Sequence, residues 1–371
     1  MSSRTRYIDL GAGIMLLWMV CYHVLQKAWW LESVNDPSID GTINPCVVFP
    51  YLNFFMPYFF YKSGMFFQRK PWRELLKKDS KKLLLTYVIW GGIGYMVYVV
   101  MCVIGDTLSI RALTYCVIRK AFLTGVPAIN GPCWFLLALF IVHIIANMVL
   151  PNDASTEHLH THSHTHTHTH TWRFHVRCAA IIIICYGLAA LCYYLNLRLL
   201  PRWIAYSASG LGFYTMGYWM NRYEKNTWIS WICIAIYVMC CVIGFPMVDM
   251  ACNKLLYGSY LSWMPVAGCS IVAFNTMCVY IEKAVTNIGQ KNNRMFSFFE
   301  YVGINAMPIF VSHFLFLEFY VFMVYQKNWF QLPHMLICTT MMLGLVVGIL
   351  CYKRLKDQRV MNYEYTHECT Y

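Results

Sequence analysis

The sequence predicts an all-α protein, a polytopic membrane helix bundle of about ten transmembrane helices with both termini on the cytoplasmic side. Of its 371 residues, 59% are hydrophobic and only 12% are charged, about half the charged share of an ordinary soluble domain. So few charges cannot cover the surface of so apolar a globule. The composition therefore argues against a soluble enzyme, a disordered chain and a nucleic-acid binder, and lipid is expected to cover the apolar surface.

Ten apolar stretches are long enough to cross the hydrocarbon core of a bilayer, judged with a window of about 19 residues. They are expected to form one transmembrane domain over residues 1–356, followed by a short cytoplasmic tail over 357–371. The predicted spans lie near 8–28, 45–67, 83–105, 133–150, 178–197, 203–221, 227–245, 259–281, 301–324 and 332–352.

The distribution of basic residues predicts the orientation. If the ten spans alternate from a cytoplasmic N-terminus, 20 of the 29 Lys and Arg residues fall on the inside, eight fall in outside loops or at outer span edges, and Lys62 lies within a span. This asymmetry follows the positive-inside rule. Membrane topology thus accounts for most of the formal charge of +12, and no nucleic-acid partner is needed to explain it.

The 17 cysteines give no sign of a disulfide framework. Most lie inside apolar runs, where cysteine behaves as a small hydrophobic residue. Neither a CxxC pair nor a Cys/His cluster with zinc spacing occurs. We therefore expect no disulfide framework and no metal site.

The densest basic segment is the predicted cytoplasmic loop 68–82, QRKPWRELLKKDSKK. It is typical of a stop signal beside anionic lipid headgroups, which we favour from these residues alone. It is also compatible with a docking surface for a polyanionic cytosolic ligand.

Two other loops contain recognisable features. The predicted cytoplasmic loop 151–177 contains the alternating segment HLHTHSHTHTHTH over 158–170. Alternating His and Thr can bind zinc, copper or nickel weakly, but nothing else fixes a ligand geometry, so we interpret the segment as a disordered linker. The outside loop 106–132 is expected to contain a short helix around 109–121.

Ionisable groups inside spans are costly and need a partner, a cavity or a function. Asp9 and His23 share the first span, 14 residues apart, so they face the same way at about 21 Å separation. His23 is compatible with a structural hydrogen bond or with a functional role. The whole stripe consists of Asp9, Ala12, Leu16, Met19 and His23.

The remaining intramembrane groups lie in other spans. Lys62 has three compatible roles: snorkelling to the inner interface, pairing with Asp9, or facing an anionic ligand from the cytoplasm. His313 and Glu318 are expected to make interhelical hydrogen bonds. His143 is expected to be structural, because its own span contains no charged residue.

Four segments occur in this order along the chain: RYIDLGAGIMLLWMVCYH, MPYFFYKSGMFF, GPCWFLLALF and YVGINAMPIFVSH. Together they resemble the acyltransferase 3 family of bacterial membrane acyltransferases. Proteins of that family begin with a basic residue, an Asp, a short Gly-containing segment, an aliphatic run and a His. Their later segments have Pro and aromatics before Ser-Gly, a Trp-Phe-Leu run, and a Gly-Asn segment ending in His.

The resemblance implies transfer of an acyl group, often acetyl from acetyl-CoA, to a hydroxyl of a carbohydrate or related envelope acceptor. His23 matches the family's catalytic His, as a base or transient acyl carrier, and Asp9 would orient groups near the inner end. Trp134, Asn305 and His313 match positions with a supporting role. The expected partners are an acyl-CoA, a carbohydrate acceptor and the lipid bilayer of the inner membrane, with no bound cofactor and no metal.

The expected donor site is basic, because CoA carries several phosphate charges. We assign it to Lys62, Arg69, Lys70 and Arg73. One position departs from the family pattern: Ala12 stands where the family commonly has Arg or Lys, eleven residues before the His. Either Lys62 supplies this positive charge, which we favour, or the activity is altered or lost.

Two other functions compete with the acyltransferase. A multi-pass transporter or flippase would use the same polar stripe as a path for a solute or metal, although the sequence shows no two halves related by repeat symmetry. A non-catalytic membrane component would keep the fold without the chemistry, and Ala12 is compatible with this.

Overall fold

A computed structural model describes residues 6–35, 52–151, 167–194, 202–221, 227–243, 260–287 and 294–327. This part of the chain is helical and contains no strand, which confirms the all-α class. Within it, five helices are long and apolar enough to cross a membrane, or six if one bent pair counts as a single span. The predicted span 332–352, the tail 357–371 and most of the His-rich segment (158–166) lie outside the described residues.

The described residues form twelve α-helices and three tighter or wider helical segments. The latter are π-turns at Ser80–Leu84 and Cys116–Thr124, and a 3₁₀ turn at Gly131–Cys133. The α-helices are α1 (Arg6–Asn35), α2 (Phe55–Met65), α3 (Trp72–Asp79), α4 (Leu85–Ile104), α5 (Ile110–Tyr115), α6 (Trp134–Val149), α7 (Thr167–Tyr194), α8 (Arg202–Met220), α9 (Thr227–Val242), α10 (Tyr260–Asn287), α11 (Arg294–Ile304) and α12 (Ala306–Lys327).

The basic segment 68–82 is mostly helical, whereas the sequence predicted a loop. Helix α3 begins directly after Pro71, has Glu74 in its first turn and has Lys77 and Lys78 in its last turn. These charges complement the helix dipole. The π-turn then joins α3 to α4, so that one apolar candidate span runs over Trp72–Ile104.

The short helix expected near 109–121 is confirmed. Helix α5 begins after Ser109, whose hydroxyl accepts a hydrogen bond from the Ala112 N–H at 3.1 Å. This is an ordinary N-cap. The helix continues through the π-turn to Thr124.

Helices α1 and α11 touch backbone to backbone. A Cβ added at Gly13 would collide with the carbonyl of Phe299, and a Cβ added at Gly303 would collide with the carbonyl of Asp9. Small residues permit such close approach in membrane bundles. This contact fixes the depth of the Asp9 backbone in the bundle.

Helices α2 and α8 make a second contact of the same kind. An added Cβ at Gly64 would meet the Tyr214 carbonyl, and one at Gly217 would meet the Tyr61 carbonyl. The contact sits at the end of α2 that contains Lys62 and Ser63. It therefore holds both polar side chains in register with their neighbours.

The predicted single span 301–324 is broken. Helices α11 and α12 meet at 82° on either side of Asn305. Both the backbone N–H and the side-chain amide of Asn305 donate to the Tyr301 carbonyl, at 3.1 and 3.0 Å. Pro308 lies in the first turn of α12. Proline has no backbone N–H, and N–H groups in a first turn have no partner within the helix, so Pro308 is compatible with a new helix that begins here.

Candidate active site

A cavity of about 380 Å³ extends from the middle of α1 and the first half of α6 to the end of the bundle where α2 ends and α3 begins. We call this the basic end, since Lys62, Lys70, Lys78 and Lys82 line the cavity there. The remaining polar lining consists of Ser63, Gln68, Asp79, His143 and Tyr214. The other walls are apolar and aromatic, and they reach Phe310, one turn before His313.

Lys62 pairs with Asp9. Its ammonium lies 3.2 Å from the Asp9 carboxylate, which is only 2% exposed. Lys62 also lines the cavity. Of the three roles compatible with the sequence, the structure shows the ion pair with Asp9. Contact with an anionic ligand stays a prediction.

The predicted inward stripe of α1 is confirmed over most of its length. Asp9, Ala12, Leu16 and Met19 are buried, with exposed fractions of 2% or less. His23, the fifth member, is half-buried. The helix thus presents the carboxylate and the imidazole to the bundle interior at two depths.

His23 is hydrogen-bonded to His313. The two rings stack with centroids 5.2 Å apart, and His23 Nδ1 lies 3.0 Å from His313 Nε2. Phe314 and Phe55 pack edge-on against His23, with ring centroids at 5.1 and 6.2 Å. The interhelical hydrogen bond expected for His313 is confirmed, and its partner is His23.

The backbone of α12 decides the tautomers of this pair. His313 Nδ1–H donates to the carbonyls of Phe310 and Ile309, at 2.9 and 3.1 Å. In neutral His313, Nε2 is then the acceptor, so His23 must donate from Nδ1. The lone pair of His23 is therefore on Nε2, where it can accept a proton.

An ion pair lies beyond the two histidines. Lys27 contacts Glu318 at 2.6 Å, and the Lys27 ammonium lies 5.5 Å from the ring centroid of Phe314. Glu318 was expected to be satisfied by another helix, and its partner is this lysine of α1. The pair is a second polar contact between α1 and α12, in addition to the His23–His313 hydrogen bond.

His143 has a charged partner, contrary to the expectation from its own span. Its Nδ1 lies 2.8 Å from Asp79 Oδ2, and its Nε2 lies 3.0 Å from Ser63 Oγ. The sequence did not reveal this partner, because Asp79 belongs to α3, which was assigned to a loop. All three side chains line the cavity.

The structure brings two of the four predicted donor residues to the cavity. Lys62 and Lys70 line it, and Lys78 and Lys82, which the sequence did not single out, line it as well. The adjacent Lys78 side chain, together with burial, lowers the pKa of Lys70 below the ordinary value for lysine. Such crowding of positive charge favours an anionic ligand.

Arg69 and Arg73 do not line this cavity. The Arg69 guanidinium donates to the carbonyls of Asn147, Met148 and Leu150, at 3.0 to 3.3 Å. It thereby satisfies carbonyls at the C-terminus of α6. Donor binding by these two arginines stays a prediction.

Two predicted supporting residues have structural surroundings. Trp134 is buried at the start of α6 and packs against Tyr206, with ring centroids 4.8 Å apart. Asn305 caps the end of α11 at the bend. Neither residue lines the cavity.

Among the residues that the structure describes, no group of three or more His, Cys, Asp or Glu side chains is arranged to hold a metal ion.

The comparison with protein families gives the decisive observation. The model of the acyltransferase 3 family, described as an acyltransferase domain, matches residues 5–353. The chain belongs to this family. The comparisons with curated proteins and with solved structures gave no significant match.

Family membership makes the protein a membrane acyltransferase at the level of the family. It favours the acyltransferase over the transporter. The match also includes both histidines of the stacked pair, the Lys62–Asp9 pair and every residue that lines the cavity.

Proposed function

We propose that this acyltransferase 3 protein moves an acetyl group from cytosolic acetyl-CoA to a hydroxyl of a cell-envelope or secreted carbohydrate, in the cytoplasmic membrane. The observation that carries the proposal is the His23–His313 hydrogen bond. It leaves the Nε2 lone pair of His23 as the base of the acceptor step.

The donor is proposed to bind at the basic end. Lys70, Lys78 and Lys82 offer ammonium groups to the phosphates of CoA. The aromatic and aliphatic walls of the cavity suit the uncharged arm that ends in the thioester. This assignment moves the phosphate contacts from Arg69 and Arg73 to lysines on the cavity wall.

His23 is proposed to act on the acceptor. Its Nε2 takes the proton of the attacking hydroxyl as the oxygen bonds to the thioester carbonyl carbon. The carbon–sulfur bond breaks, and the departing sulfur takes up the proton as a thiol. His313 holds His23 in the required tautomer throughout, as the orienting group does in other imidazole-based sites.

The test uses purified protein in liposomes, [¹⁴C]acetyl-CoA, and pyranosides and envelope glycan extract as probe acceptors. Ester-linked label in the sugar fraction is expected, and His23→Ala should reduce it by roughly 100-fold or more. His175→Ala is the matched control, because His175 accepts a hydrogen bond from Trp219 and does not line the cavity. Undiminished transfer by the His23→Ala protein would remove the assignment of the base.

A further inference from the structure

Three side chains on the cavity wall form a continuous hydrogen-bonded chain. Ser63 comes from α2, His143 from α6 and Asp79 from the end of α3. The Ser63 Oγ to His143 Nε2 distance is 3.0 Å, and the His143 Nδ1 to Asp79 Oδ2 distance is 2.8 Å. Asp79 is 7% exposed, so bulk water competes little for its carboxylate.

The order of atoms in this chain is that of an activated nucleophile. Asp79 accepts from Nδ1–H of His143 and so leaves the imidazole lone pair on Nε2. Ser63 donates its hydroxyl proton to that lone pair. On many unrelated folds, a carboxylate bonded to an imidazole that is bonded to a serine hydroxyl makes the serine oxygen more nucleophilic.

The hydrogen-bonded group of Ser63, His143 and Asp79 is separate from the His23 site. Phe55 packs on the His23 ring and lies eight residues before Ser63 on the same helix. Eight helical residues span about 12 Å. An acyl carbonyl cannot contact both groups at once, since catalytic contacts are about 3 Å long.

We propose that Ser63 is a second nucleophilic centre, which takes the acyl group of the thioester donor as a Ser63 ester, with His143 and Asp79 as positioning residues. The inference depends on the proposed function only for its donor, an acyl thioester held at the basic end. Ser63, His143 and Asp79 line the same cavity as Lys70, Lys78 and Lys82, so a donor bound there reaches Ser63 before it reaches His23.

The acylation step balances without any further reactant. Ser63 Oγ attacks the thioester carbonyl carbon while its proton passes to His143 Nε2. The carbon–sulfur bond then breaks, and the thiolate takes the proton from His143, which leaves a serine ester and a free thiol. A hydroxyl nucleophile in the cavity, water included, later attacks the ester, and Ser63 recovers its proton through His143.

Positive charge lines the same cavity as Ser63. Lys62 precedes Ser63 in sequence and also lines the cavity, with its ammonium 3.2 Å from Asp9. A fixed cation near the carbonyl stabilises the oxygen charge that develops during the attack. The cavity thus combines a nucleophile, its base and a cationic group.

The experiment incubates the purified full-length protein with radiolabelled acetyl-CoA, without acceptor, and locates the label by peptide mass spectrometry after an acid quench. Label is expected on Ser63 in the wild type, and none is expected in Ser63→Ala. Asp79→Asn should slow labelling by roughly 100-fold or more, because the imidazole loses its orienting carboxylate.

Two further variants separate chemistry from folding. Ser63→Cys keeps a nucleophile, so it should still be labelled, but through a thioester that neutral hydroxylamine removes. Ser270→Ala is the matched control, since Ser270 is buried in α10 and donates only to the Val266 carbonyl at 2.8 Å. Its labelling should equal that of the wild type.

The result also distinguishes this inference from the proposed function. An unlabelled Ser63 in a protein that acetylates sugars through His23 would overturn the inference and leave the proposed function standing. Label on Ser63 without any sugar product would support the inference and count against the proposed acceptor chemistry.

Discussion

The Lys62 ammonium lies 3.2 Å from the Asp9 carboxylate and joins α2 to α1 at a depth where Asp9 is 2% exposed. Asp9 lies three residues before Ala12 on the same face of α1, and Ala12 is fully buried. Lys62 therefore brings a positive charge to within one turn of the position where the family commonly has a basic residue. This supports the proposal that Lys62 compensates for Ala12.

Replacing Lys62 with Ala should destabilise the protein and abolish transfer. The change leaves a buried carboxylate without its cation, which costs about 3–5 kcal/mol. Thermal unfolding of the detergent-solubilised protein and the sugar-labelling assay measure the two effects. An unchanged Tm together with normal transfer would show that the pair has no role.

The double variant Asp9→Asn, Lys62→Met is the control for this prediction. Removing both charges should recover most of the lost stability, because no charge is then buried unpaired. Transfer should stay low. Adding Ala12→Arg to Lys62→Ala should restore part of the activity if the position of the positive charge, rather than the lysine itself, is what matters.

Replacing His313 with Ala should lower kcat about tenfold or more while KM for acetyl-CoA changes little. Without the His313 acceptor, His23 loses the hydrogen bond that fixes its tautomer. His313→Gln offers a carbonyl oxygen that can accept from Nδ1–H, so it should retain more activity than His313→Ala. Equal losses in the two variants would contradict the orienting role.

Charge reversal at Lys78 and Lys82 should raise KM for acetyl-CoA several-fold, since each exposed phosphate contact contributes roughly 0.5–1 kcal/mol. The dependence of KM on salt should also weaken. Arg73→Glu is the matched control, because Arg73 is an exposed cation of α3 that does not line the cavity. If Arg73→Glu has the largest effect, the donor site follows the sequence prediction instead.

Gly303→Ala should destabilise the bundle by about 1–3 kcal/mol, the usual cost of overpacking. Its new Cβ would meet the Asp9 carbonyl, which is backbone and cannot rotate away. Gly187→Ala is the control, because an added Cβ there meets no atom within 4 Å. Thermal unfolding in detergent compares the two, and equal Tm values would remove the α1–α11 contact as a stabilising feature.

Particular residues show how far sequence reasoning reaches. The α1 stripe was predictable because helical periodicity alone decides which residues of a span share a face. The bend at Asn305 was not, since an apolar run gives the same hydropathy whether its helix is straight or broken at 82°. The contact between His143 and Asp79 was not predictable, because the two residues lie 64 positions apart in sequence.

The sequence by itself determined that the chain is helical, that it has the composition of a membrane protein, and which few ionisable groups lie in its predicted spans. These conclusions follow from amino-acid composition and from the helical periodicity of each span, which are properties of single segments. Only the tertiary structure decided which polar side chains contact each other: Lys62 with Asp9, His23 with His313, and Ser63 with His143 and Asp79. Those pairings depend on the depth and rotation of each helix, and these are set by packing contacts such as Gly303 against Asp9.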